Sequence, residues 1–356
     1  MDITTFRILD ITSAHLSASF SINQLTEKIK ETYGTAHYAN IYKKLHDLQR
    51  QGILNLDHSG KSSIIRLNFR NYLLIDYLAE MEIMKKRKFL KTRNDIQIFL
   101  LEMEKAMRDM NSIGSICYAK PERNIKLNRV ELLFLLRYPE KESARSAYQS
   151  DTARIYTETQ KLQNKYNLRI ESLVLDESEF HDLIESDEIN PLKEALSDKI
   201  VIFCPQTLWR EMKGTAEKTE IRTGETETKP AHISSVDLAY NLARFGYKEF
   251  GLTIEQGQKI CIEYVITSLL VLNDARRIEA IPVIIAKNDI RSNLMIFLSQ
   301  KYETSGRLLG LLKVLQHITP TKKIDETTRL LKILGAEEIQ ANEKSILQKM
   351  RLYNAA

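Results

Sequence analysis

Within eight residues, His37, Tyr38, Asn40, Lys43 and Lys44 gather side chains suited to recognising a polyanion and the bases it carries. An asparagine amide can bond the edge of adenine twice, and a lysine can reach guanine or phosphate. His37 and Tyr38 add further donors and acceptors. Downstream, Lys61 and Arg66 suit phosphate contacts, which position a protein on a duplex more than they select sequence. Such chemistry is that of a double-stranded DNA reader. An ordinary solvated basic face is the competing explanation, and charge alone does not decide between them.

These residues need a helix beneath them. Ile41, Leu45 and Leu48 recur at helical spacing and predict a helix from Ala36 to Gln51 with one buried stripe. The five polar residues then fall at its start and on its outer face, the part of such a helix that meets base edges. Ser21 reads as an N-cap for an earlier helix carrying Ile22, Leu25 and Ile29. Tyr33-Gly34-Thr35 ends it, with Gly34 suited to a left-handed backbone and Thr35 able to cap the next helix. Before both, Phe6, Ile8, Leu9 and Ile11 suggest a short helix. After Gly52 come two alternating runs, Ile53–Leu56 and Ser63–Phe69, joined by a turn over Asp57–Lys61. The predicted order is helix, helix, turn, helix, two-stranded wing.

Asn40–Leu48, Gly52-Ile53-Leu54, Ser59-Gly60-Lys61 and Arg66-Leu67-Asn68 together resemble the winged helix-turn-helix domains of bacterial and archaeal transcription regulators. The resemblance spans about 70 residues. It implies DNA contacts from His37, Tyr38, Asn40, Lys43 and Lys44 on the recognition helix, and from Lys61 and Arg66 on the wing. Winged helices also serve as protein-binding modules, so that reading stays open.

Charge placement fits a polyanion partner. Residues 1–93 hold 15 Lys+Arg against 9 Asp+Glu, so the net charge of +5 is concentrated in this quarter of the chain. Lys85-Lys86-Arg87-Lys88, on a helical stretch from Tyr72 to about Met110, reads equally as a solvated helix face or as a phosphate contact. The 356 residues, 43% hydrophobic, suffice for several cores. Met1–Asp10 lack the apolar stretch of a signal peptide, and no run approaches the ~18 apolar residues of a membrane span. A cytoplasmic protein without membrane association is expected. Cys117, Cys204 and Cys261 are too scattered for a disulfide framework or a zinc site, and all three read as buried small hydrophobes. Protease, P-loop and Gly-x-Ser-x-Gly signatures are absent.

Past Gly114-Ser115 the pattern alternates. Val130–Leu136, Arg169–Leu175 and Ile200–Cys204 read as strands, and Ser143–Tyr166, Glu177–Glu185 and Leu192–Ser197 as helices. Gly114-Ser115 with Glu131 in an apolar strand beyond it resembles the minimal nucleotidyltransferase superfamily. There, a Gly-Ser turn at a helix N-terminus holds nucleotide phosphates, and two carboxylates one residue apart on a strand bind Mg²⁺. Leu173–Leu175, Glu179-Phe180, Asn190–Leu192, Lys199–Phe203, Pro205 and Leu208-Trp209 resemble the second half of such domains in archaeal winged-helix proteins. On this resemblance Ser115 and Glu131 are the candidate catalytic residues, with Glu171 a further carboxylate. Arg129 stands where the first carboxylate belongs, and a guanidinium repels Mg²⁺. Glu131 can also be read as an exposed residue or as the partner of Arg129 or Arg137.

Lys213–Lys229 is too polar to order itself and reads as a linker. The rest, including Leu308–Leu315, is helical. Arg276–Ile284, Lys287-Asn288 and Lys301-Tyr302 are similar to a string in the same archaeal proteins, with no activity attached.

The expected architecture is multidomain α+β. It comprises a winged helix-turn-helix at 1–70, a connecting helix at 71–110, a nucleotidyltransferase-like α/β domain at 111–212, a flexible linker at 213–231 and an all-α domain at 232–356. The expected function is DNA-binding transcription regulation, with an inactive middle domain and no metal or cofactor. A homodimer would set two recognition helices about one helical turn apart. An active Mg²⁺-dependent nucleotidyltransferase and an antitoxin-like partner protein are the alternatives.

Overall fold

The computed structural model describes residues 1–355 except 17, 60–61, 92, 127, 139–143, 219–220, 222–227 and 249–255. The chain is α+β, with two small sheets and a helical C-terminal region. No helix among the described residues is long and apolar enough to cross a membrane.

The first unit is α1 (Ile3–Ala14), β1 (Phe20–Ser21), α2 (Ile22–Tyr33), α3 (Tyr38–Arg50), β2 (Leu54–Ser59) and β3 (Ser62–Leu67). Asp2 caps α1 by accepting from the Thr4 and Thr5 amides. Ser21 caps α2 in a reciprocal box with Gln24, and Gly34 ends that helix at φ 80°. Ile41, Leu45 and Leu48 of α3 are buried, as their spacing predicts. The helix begins at Tyr38 rather than Ala36, with His37 as N-cap. The sheet is antiparallel in the order β1-β3-β2. Its third strand, β1, is too short to carry a sequence pattern. Pairing of Ser59 with Ser62 carries the hairpin further than the sequence suggests.

The next helical stretch is two helices, α4 (Leu73–Leu90) and α5 (Asn94–Ala106). Then come β4 (Ile113–Ala119), α6 (Pro121–Lys126), β5 (Arg129–Leu136), α7 (Ala144–Tyr166), β6 (Arg169–Asp176), α8 (Glu177–Glu185), α9 (Pro191–Ser197), β7 (Lys199–Phe203) and α10 (Pro205–Ala216). The second sheet runs β6-β5-β4-β7. β5 and β6 are parallel, with α7 between them in sequence, and the other pairs are antiparallel. From Val130 to Leu136 β5 is buried on both faces, which explains the unbroken apolar run Leu132–Leu136. α4 packs on β7 and α10, and α7 on β6.

Of the expected linker, 213–216 belong to α10, Ile221 is buried, and Pro230–His232 form a 3-10 turn. The C-terminal helices are α11 (Ser235–Arg244), α12 (Ile262–Leu272), α13 (Ala275–Ile278), α14 (Ala280–Lys287), α15 (Ser292–Lys301), α16 (Ser305–Ile318), α17 (Lys322–Ile333) and α18 (Glu343–Leu352). α15 is their link to the sheet: it packs on β6 and also on α12 and α17. Leu308–Leu315 lies within α16, and its leucines are buried core.

Candidate functional site

The structure keeps His37, Tyr38, Asn40 and Lys43 exposed on α3, and Arg66 exposed on β3 opposite Asn55. Lys61 lies outside the described residues. Tyr38, Tyr42 and His46 form a ladder at spacing i, i+4, i+8 along α3. The two tyrosine rings stack at 6.0 Å, and Tyr42 meets His46 edge-on at 4.4 Å. Tyr38 and Tyr42 are 48% and 44% exposed, so the ladder is surface rather than core. Sequence reasoning missed Tyr42 and His46. Their spacing is the signal that finds them, since each lies one turn beyond the last. The start of α3 has no side-chain cap, so its first amides are not met by the His37 side chain. Among the described residues neither Asn40 nor Lys43 has an internal side-chain partner. The turn before α3 is fixed from α1, where Arg7 donates to the Thr35 carbonyl at 2.9 Å and lies over the Tyr33 ring.

Lys44 departs from the expectation of an outward-reaching lysine. Its ammonium is 3.1 Å from Asp2, the N-cap of α1. Against the burial that would raise it, hydrogen bonds from Thr5 and the Lys44 ammonium hold the Asp2 carboxyl down at about 2. The reason is geometric: Lys44 lies on the flank of α3 that faces α1.

The Lys85–Lys88 cluster is neither a plain solvated face nor an open phosphate site. Lys85 pairs with Asp10 at 2.8 Å, and Lys86 donates to the Ile202 carbonyl at 2.8 Å. Lys88 lies over the Tyr33 ring. Asp10 is held below the usual carboxylate range despite its burial, chiefly by Lys85, and it also accepts from the Tyr33 hydroxyl. Part of the basic excess of the first 93 residues is therefore spent in joining α4 to the first unit and to β7.

In the second sheet the expected Gly-Ser turn is a strand. Gly114 and Ser115 both belong to β4, and Ser115 is fully buried with its hydroxyl donating to the Phe203 carbonyl at 2.9 Å. Glycine serves a packing purpose there, because a Cβ at 114 would meet the Arg137 side chain at 2.7 Å. Ser115 thus presents no hydroxyl to a nucleotide phosphate.

Glu131 is buried and accepts from the Lys301 ammonium at 2.9 Å, at the end of α15. Its partner is neither Arg129 nor Arg137, the residues nearest in sequence. Parallel register sets Arg129 beside Arg169 and Glu131 beside Glu171, so all four share one face of the β5–β6 pair. Glu171 is fully buried, 2.7 Å from the Arg169 Nε and 3.1 Å from the Arg129 Nε. Arg169 also bonds Glu303, and Arg129 donates to the Lys301 carbonyl. Burial pushes the Glu171 carboxyl up to about 7 against the pull of Arg129 and Arg169, and Glu131 adds to the push. Parallel register, not i, i+2 spacing along one strand, brings the two carboxylates to one face, and internal cations hold them. Among the described residues no group of three or more His, Cys, Asp or Glu is arranged to hold a metal.

Arg137 pairs with Glu177 at 2.6 Å. Cys117 and Cys261 are buried as expected, but Cys204 is exposed. It sits with φ 48° where the chain leaves β7 for α10. Trp209 is fully buried, with the Lys199 ammonium 4.7 Å from its ring centre.

Compared with models of known families, with curated proteins and with solved structures, the chain matches none of them.

Proposed function

We propose that this protein binds double-stranded DNA through α3 and the β2–β3 hairpin, as a winged helix-turn-helix transcription regulator. The observation that carries the reading is the exposed face of α3. His37, Tyr38, Asn40 and Lys43 stand at its start, and Lys43 and Asn40 have no internal partner among the described residues. An α-helix fits the major groove, where an asparagine can discriminate adenine by ~1–3 kcal/mol. The uncapped start of α3 can donate backbone amides to a phosphate. Arg66, on the hairpin beside it, supplies a second positive contact.

The second sheet is best read as a nucleotidyltransferase-like scaffold without metal catalysis. Ser115, Glu131 and Glu171 are each buried and engaged by protein groups. Magnesium needs oxygen ligands free to bind it, and here Lys301, Arg129 and Arg169 already stand against the two carboxylates.

The test is a titration of the full chain with a mixed-sequence duplex at two salt concentrations. The expected result is binding that weakens steeply with salt, with log K falling by about 0.9 per log salt for each phosphate neutralised. Absence of binding at low salt would remove the reading.

A further inference from the structure

Behind the hairpin, a cleft of about 460 Å³ opens between the first unit and the residues after α10. That volume lies within the ~300–1,000 Å³ of small-molecule sites. One wall carries His15, Phe20, Arg66 and Phe69, and the other carries Lys218 and Ile221. Phe20 meets the His15 ring edge-on at 5.9 Å, and Phe69 and the buried Ile221 add apolar surface to a lining that is polar overall. Arg66 and Lys218 are exposed, and among the described residues neither has an ion-pair partner. Glu217 is the acid in the lining, and Lys213 already holds it. The C-terminal end of α10 brings about half a negative charge, less than the two full positive charges across the cleft.

We infer that this cleft binds a small planar organic anion, its acid group between Arg66 and Lys218 and its ring against Phe20 and Phe69. The site stands apart from the reading of α3, although it shares Arg66 with that proposed surface.

The test is calorimetric titration of the full chain, without DNA, using naphthalene-1-carboxylate and the uncharged naphthalene-1-carboxamide. Charge-assisted bonds predict that the carboxylate binds about tenfold tighter than the amide. Arg66→Gln and Lys218→Gln, both at exposed positions, should each erase most of that difference. No carboxylate binding, equal binding of the two probes, or a preference untouched by both substitutions would overturn the site. Because no nucleic acid is present, failure here is distinct from failure of the DNA reading.

Discussion

The outer face of α3 and the charged seam beneath α15 use the same kinds of residue to opposite ends. On α3, Lys43 and Asn40 project with no internal partner among the described residues, beside an exposed aromatic ladder. In the seam, Arg129, Glu131, Arg169, Glu171 and Lys301 are consumed by one another. Availability, not residue type, separates a surface that can recognise a ligand from one that holds a fold together. Lys44 and Lys85 make the same point within the first 93 residues, since Asp2 and Asp10 take them.

The largest effect belongs to the seam. Lys301→Ala would strand the buried Glu131 carboxylate and should lower unfolding stability by ~3–5 kcal/mol in urea denaturation. A double change, Glu131→Leu with Lys301→Met, should recover most of that loss, because a well-packed apolar pair removes the unpaired charge. A loss below about 1 kcal/mol for Lys301→Ala would mean that water reaches the seam, as it reaches surface ion pairs.

A smaller effect comes from Glu171. Its folded-state carboxyl is raised from 4.5 to about 7, so the folded chain keeps a proton that the unfolded chain releases. The stability this contributes is fully present below pH 4.5 and is lost as pH rises through about 7. Glu171→Gln should therefore flatten the fall in melting temperature between pH 5 and pH 8. An unchanged slope would show that Arg129 and Arg169 keep Glu171 ionised throughout.

Much of the fold was legible because its signals are local. Ser21, Gly34 and the Ile41–Leu45–Leu48 stripe mark helices from within a few residues, and the apolar run of β5 marks a buried strand. β4 was hidden because Gly114-Ser115 reads as a turn, while the need for glycine comes from Arg137 on the neighbouring strand. Glu131 was misread for the same reason at longer range: Lys301, its partner, is 170 residues away. On α3, helical periodicity separates buried from exposed positions. It does not reveal that the α1 cap claims Lys44 and leaves Lys43 outside.

That last contrast is the most direct test of the central claim. Duplex DNA binding should be measured across a salt series for the wild type, Lys43→Ala and Lys44→Ala. Loss of a phosphate contact at Lys43 should weaken binding and reduce the salt slope by about one. Lys44→Ala should leave both affinity and slope near wild type, with only a slight loss of stability. Equal effects from the two substitutions, or none from Lys43→Ala, would contradict the account.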